Sequence, residues 1–149
     1  MPMKILVING PNLNMLGRRD TKHYGTDTLK SIEGALTEKA KALGCKLFFF
    51  QSNHEGGIID FIQEKAPQAD GILINPGALT HYGCSLHDAL LDSGLPVVEV
   101  HLSDIHAREE WRKISVIADV VIKQISGLKT QSYLLGLEAL VSHIRSQKR

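Results

Sequence analysis

Five short apolar runs punctuate the chain, at residues 4–8, 46–50, 71–74, 97–100 and 120–122. They are rich in Val, Ile, Leu and Phe and do not alternate with polar positions. Such runs are expected of parallel strands covered on both faces. Longer amphipathic segments lie between and after them, at about 27–43, 56–66, 84–93 and 129–146, with the spacing of helices that bury one stripe. Gly44 ends the first helical segment and "SGLP" ends the third. This alternation predicts an α/β, flavodoxin-like three-layer fold. It has a five-stranded parallel sheet, order 2-1-3-4-5, with helices on both faces. No linker, repeat or low-complexity stretch interrupts it, so residues 1–149 read as a single domain.

One segment does not fit. Residues 9–25, "NGPNLNMLGRRDTKHYG", follow the first run with no apolar period. Compact domains rarely spend so many residues on a structureless connection, and those that do usually use them. In an open α/β sheet, ligands bind beyond the carboxyl ends of the strands. There this chain carries "NGPNLN", "QSNHEGG", "NPGALTHYG" and "EVHLSDIH" in turn. Asn, Gly, Pro and His at successive strand exits are the materials of a shaped small-molecule pocket.

Several chemistries are excluded by pattern. No glycine-rich phosphate loop and no G-x-S-x-G nucleophile turn is present. The seven histidines make no H-x-x-x-H pair on a predicted helix, and no Cys/His set has zinc spacing, so no metal is expected. General acid–base chemistry remains, with Tyr24, His54, Glu55, His81, Glu99 and His101 as candidates at the strand exits. Glu99 and His101 are two apart on a strand and so share a face, where the carboxylate could orient the imidazole and hold it cationic. Tyr24 would need help to ionise, its ordinary pKa being about 10. Arg18 and Arg19, in the same loop, could supply the cation that favours the phenolate. His54 and Glu55 open a helix and could simply cap it, and His81 could cap the next helix.

Composition adds limits. A net charge of +1 offers no electrostatic footprint for nucleic acid. The apolar start is too short for a signal peptide, and no stretch approaches a membrane span. Cys45 and Cys84 are expected to be buried free thiols, and the reducing cytoplasm is the expected compartment.

The four blocks "NGPNLNMLGRRDTKHYG", "QSNHEGGIIDFI", "GILINPGALTHYGCSLHDAL" and "PVVEVHLSDIHAREEWR" resemble those of type II 3-dehydroquinate dehydratases, in that family's order and spacing. The likeness continues through "QISGLKTQSYLLGLEAL" and so spans nearly the whole chain. It implies a flavodoxin-like fold and a cofactor-free trans-dehydration of 3-dehydroquinate to 3-dehydroshikimate, in shikimate synthesis or quinate breakdown. It also implies a homo-oligomer, usually a dodecamer of four trimers. Carried over by motif, Tyr24 is the base and Arg19, in a mobile lid, supports it. Asn12 helps hold a water at the enolate oxygen, His101 protonates the departing hydroxyl and Glu99 orients His101. Asn75, His81, Asp88 and Arg112 hold substrate hydroxyls, Asp88 from a neighbouring subunit, and the backbone at Leu102 and Ser103 grips the carboxylate. The lid departs from the family's L-G-x-R-E-P-x-x-Y-G, with Asp20 for Glu and Thr21 for Pro, and should be freer when open. "KISVIAD" after Arg112 also departs from the family's pattern and puts contacts near residues 114–116 in doubt. The competing reading is a non-catalytic flavodoxin-like module that binds another small molecule.

Overall fold

The computed structural model describes residues 2–148. Its sheet is parallel throughout and ordered β2-β1-β3-β4-β5. The strands are β1 (Met3–Asn9), β2 (Cys45–Gln51), β3 (Gly71–Asn75), β4 (Val97–Val100) and β5 (Lys123–Ile125). The helices are α1 (Thr21–Tyr24), α2 (Leu29–Leu43), α3 (Glu55–Lys65), α4 (Cys84–Ser93) and α5 (Thr130–Gln147). Helices α2 and α5 pack on one face of the sheet, where Ile5, Val7, Leu73 and Val98 meet Ile32, Leu36, Leu137 and Leu140. Helices α3 and α4 cover the other face through Ile58, Ile62, Leu86 and Leu90. Successive strand residues point to opposite faces, so one apolar run feeds both cores. Gly44 ends α2 at φ 73°, a left-handed conformation that costs glycine nothing.

Three expectations change. The fifth strand is Lys123–Ile125, not residues 120–122. Ala118–Val120 forms a 3-10 turn instead, and Val120 and Val121 pack against the α3/α4 core. Their apolarity reports burial rather than strand pairing, whereas the edge strand itself is the partly polar "KQI". Full coverage of both faces holds for most of β1 and for all of β3 and β4, but the edge strands β2 and β5 are only partly buried. Neither thiol is fully buried: Cys45 is half-buried and Cys84 exposed, because each stands at the first residue of its element.

The long connection after β1 is also more ordered than its composition predicts. A 3-10 turn occupies Leu13–Met15, and Leu13 and Leu16 are buried in the α2/α5 core. Helix α1 follows, its Asp20 carboxylate accepting the Lys22 N–H at 2.9 Å as a cap. Two leucines thus anchor the base of this segment while its tip carries a single helical turn.

Candidate active site

The carboxyl ends of β1, β3 and β4 open on one cavity of about 120 Å³. Its floor depends on a close crossing of the first and third strand exits. The Gly10 N–H donates to the Asn75 carbonyl at 2.8 Å. A Cβ on Gly10 would lie 2.2 Å from the Pro76 carbonyl oxygen, and one on Gly77 (φ 61°) 2.8 Å from that of Pro11. Only glycines let these two backbones touch. Asn12 then takes φ 71°, a left-handed conformation asparagine tolerates, and its N–H donates to the Asn53 side chain at 2.9 Å.

Of the eleven residues singled out by sequence, nine line this cavity: Asn12, Arg19, Tyr24, Asn75, His81, His101, Leu102, Ser103 and Arg112. Glu99 lies directly behind, fully buried on β4. His101 Nε2–H donates to its carboxylate at 2.5 Å, Ser115 Oγ at 2.9 Å and Gln124 Nε2 at 2.9 Å. Burial works against charge on Glu99. The hydrogen bond and charge of His101, with the Gln124 and Ser115 donors, outweigh it and hold the carboxyl below its ordinary pKa. The Gln124 amide is oriented in turn by His106, whose Nε2 meets Gln124 Oε1 at 2.9 Å. With Nε2 committed to Glu99, His101 has Nδ1 left for the cavity it lines.

Tyr24 is the last residue of α1. The Arg19 guanidinium lies over its ring, 3.8 Å from the centroid. Its hydroxyl accepts from Arg108 Nη1 at 2.8 Å, and the same nitrogen reaches Ser103 Oγ at 3.2 Å. Arg108 is therefore a cavity residue that the sequence analysis did not select. Its only prior signal was a second arginine in "HAREEWR", four positions before Arg112. Arg18 does not line the cavity.

His81 Nδ1–H donates to the Ile114 carbonyl at 2.7 Å, and its ring meets Trp111 edge-on at 5.1 Å. Burial lowers its pKa, a change the Ile114 hydrogen bond opposes and the charges of His101 and Arg112 reinforce. A neutral ring bonded through Nδ1–H leaves Nε2 as an acceptor. Segment 114–116, doubtful from sequence, supports the site at three points: Ile114 on His81, Ser115 on Glu99, and the Val116 N–H on the Thr80 carbonyl at 2.7 Å. His81 caps no helix. His54 stands at the start of α3 without a side-chain capping bond, and Glu55 instead accepts the Leu86 N–H of α4 at 2.9 Å.

Asn75 is fixed by Tyr133 of α5. Asn75 Nδ2 donates to the Tyr133 hydroxyl at 2.9 Å, and that hydroxyl donates to Asn9 Oδ1 at 2.5 Å. Tyr133 is completely buried, which pushes its pKa far up and keeps it a neutral donor. The sequence marks it only as an apolar-face residue of a helix. The Leu102 and Ser103 carbonyls accept the Lys129 and Gly127 N–H groups, at 3.0 Å each. Among the described residues the Leu102 and Ser103 N–H groups reach no protein acceptor, although both residues are buried at the cavity wall. Two adjacent amide donors are thus left available at the cavity wall.

Asp88 does not join the cavity. It sits exposed on α4, where its carboxylate accepts from His87 Nδ1 at 2.9 Å, and His87 Nε2 reaches Asp119 at 3.0 Å. Among the described residues no cluster of His, Cys, Asp and Glu is suited to a metal ion.

The family model for class II dehydroquinases matches residues 3–141. The chain is 56% identical over 139 residues to a 3-dehydroquinate dehydratase of Roseiflexus castenholzii, covering 93% of this chain and 88% of the relative. It is 52% identical over 142 residues to that of Halothermothrix orenii, covering 95% and 96%. The crystal structure of a type II dehydroquinase from Butyrivibrio crossotus superposes with a TM-score of 0.90 at 44% identity, over 93% of this chain and 97% of that one. With its fold, its strand-exit cavity and a match over nearly its whole length, this chain belongs to the class II dehydroquinase family.

Proposed function

We propose that this chain is a hydro-lyase that converts 3-dehydroquinate to 3-dehydroshikimate and water through an enolate. The observation that carries this reading is the pairing within one cavity of Tyr24, held by Arg19 and Arg108, with His101, held by Glu99. The proton alpha to a ketone is weakly acidic, so its removal needs a strong base and immediate stabilisation of the enolate. A phenolate at Tyr24 is that base, held beside two guanidinium groups. The substrate carboxylate docks on the Leu102 and Ser103 amides. Asn12 holds a water at the enolate oxygen. Asn75, His81 and Arg112 take the ring hydroxyls, and Asp88 reaches the cavity of a neighbouring subunit. His101 gives its proton to the leaving hydroxyl, which departs as water, while Tyr24 keeps the proton it abstracted. Neither an electron sink nor an imine is needed, so the reaction runs without a cofactor. The assembly is a dodecamer of four trimers working in the cytoplasm.

Purified protein given 3-dehydroquinate should develop the ultraviolet absorbance of a conjugated enone. A folded protein that yields no signal contradicts the activity. Tyr24→Phe should abolish turnover with the fold intact, and a fully active variant would refute the base assignment. Borohydride added with substrate should leave activity unchanged, because no imine forms.

A further inference from the structure

Lys129 occupies a backbone conformation that a side chain disfavours. Its φ of 54° and ψ of −135° match the first central position of a type II′ turn, which glycine dominates. The Gln131 N–H closes that turn on the Leu128 carbonyl at 3.1 Å. The conformation is imposed from both sides: the Lys129 N–H donates to Leu102, its carbonyl accepts from Ser132, each at 3.0 Å, and the Leu128 N–H reaches Ser132 Oγ at 3.1 Å. Glycine would satisfy all of these bonds without strain.

The side chain makes contacts glycine could not. Lys129 Nζ donates to the Lys22 carbonyl at 3.0 Å, inside the single turn of α1 that carries Tyr24. That carbonyl is one of those a short helix leaves unpaired, and a cation is favoured there. The lysine stem lies on Gly25, where an added Cβ would stand 2.9 Å from Lys129 Cδ. The neighbouring Thr130 hydroxyl donates to the Asp27 carboxylate just beyond. Between the α1 turn and the start of α5 remains a cavity of about 270 Å³, edged by Lys22, His23, Arg108, Gly127 and Lys129. Lys129 therefore bridges a gap that packing leaves unfilled. Thr21 is the first residue of α1, a position where proline would stiffen the helix start, so this turn relies on contacts from outside itself.

We infer that Lys129 is a positioning residue, a clasp that holds the α1 turn, and with it Tyr24 and Arg19, seated over the cavity. Its catalytic consequence rests on the reading of Tyr24 as the base, but the clasp itself can be measured without turnover. Two variants separate its parts. Lys129→Gly removes both strain and clasp. Lys129→Met keeps the apolar stem and removes the donor. Hydrogen–deuterium exchange on the assembled protein should quicken at residues 20–25 in both variants, by about two- to tenfold for one lost hydrogen bond, with β1 and β3 unchanged. Lys129→Gly should melt no lower than the parent chain, which distinguishes clasp loss from general destabilisation. In turnover of 3-dehydroquinate, both variants should raise KM more than they lower kcat. Unchanged exchange in both variants overturns the clasp. Faster exchange in Lys129→Gly alone also overturns it, since glycine's freedom would then be the cause. If exchange responds as expected but even the parent chain does not dehydrate the substrate, the clasp stands and the catalytic reading fails.

Discussion

Glu99 shows how a buried charge is maintained in this site. Three side-chain donors converge on it, and together they overcome the desolvation that burial imposes. Its folded pKa lies below the unfolded value of about 4.3, so the carboxylate contributes stability that is complete above that value. The contribution is lost as pH falls through the lower folded value. Urea unfolding of the parent chain should therefore show a loss of stability below about pH 4 that is smaller in Glu99→Gln. Gln124→Leu removes one donor and brings the folded pKa nearer the unfolded one, so its acid loss should be smaller than the parent chain's and complete at a higher pH. The Glu99–His101 pair was legible in the sequence because strand periodicity fixes both on one face. Gln124 was not, because it comes from the neighbouring strand β5, whose position the apolar pattern misplaced.

At the scale of elements, α5 does more than cover the sheet. Its Tyr133 reaches through the core to join Asn9 and Asn75, the last residues of β1 and β3. Tyr133→Phe would leave two buried amides each short of a partner, at a cost of about 1–3 kcal/mol. Thermal or urea unfolding should show that loss, and turnover of 3-dehydroquinate should weaken through a misplaced Asn75. A change that lowers activity without lowering stability would place Tyr133 outside the support of these strand ends. Helix α1 marks the opposite case. It has one turn, no fully buried residue and a single Asp20 cap; Tyr24 packs part-buried on the α2/α5 core, and Arg108 and Lys129 add contacts from outside the turn. Sequence periodicity cannot register a one-turn helix, which is why residues 9–25 look patternless before the fold is known.

For the whole molecule, apolar side chains remain exposed at one edge of the sheet and on the helices. A groove of about 850 Å³ runs between edge strand β5 and α5, bordered by Ile125, Leu135 and Val141 with Lys123, Glu138 and Arg145. Leu91, Ile122 and Leu128 are about half exposed, and Asp88 stands on the outside of α4, away from its own cavity. On the proposed reading, light scattering after gel filtration should give the mass of twelve chains. Asp88→Ala should then impair turnover despite lying outside the cavity of its own chain. A monomer with full activity would contradict both the assembly and the role of Asp88. Among the described residues, no helix is long and apolar enough to cross a membrane.

The sequence by itself determined the strand–helix alternation, the main helices and, from residue chemistry at the strand exits and in the loop after β1, four of the residues that line the cavity: Arg19, Tyr24, His81 and His101. These follow from short-range rules: the spacing of apolar positions, glycine stops, and the placement of ligand groups beyond parallel strands. Recognisable motif blocks supplied the remaining candidates. Tertiary structure decided what depends on distant segments meeting. Arg108 contacts Tyr24 across 84 positions, Lys129 contacts Lys22 across 107, and Tyr133 contacts Asn9 across 124. No local pattern encodes such pairs, because each residue taken alone is compatible with an ordinary helix or loop. Folding brings these partners to one end of the sheet, and only there do an arginine, a lysine and a buried tyrosine acquire their positions around the cavity.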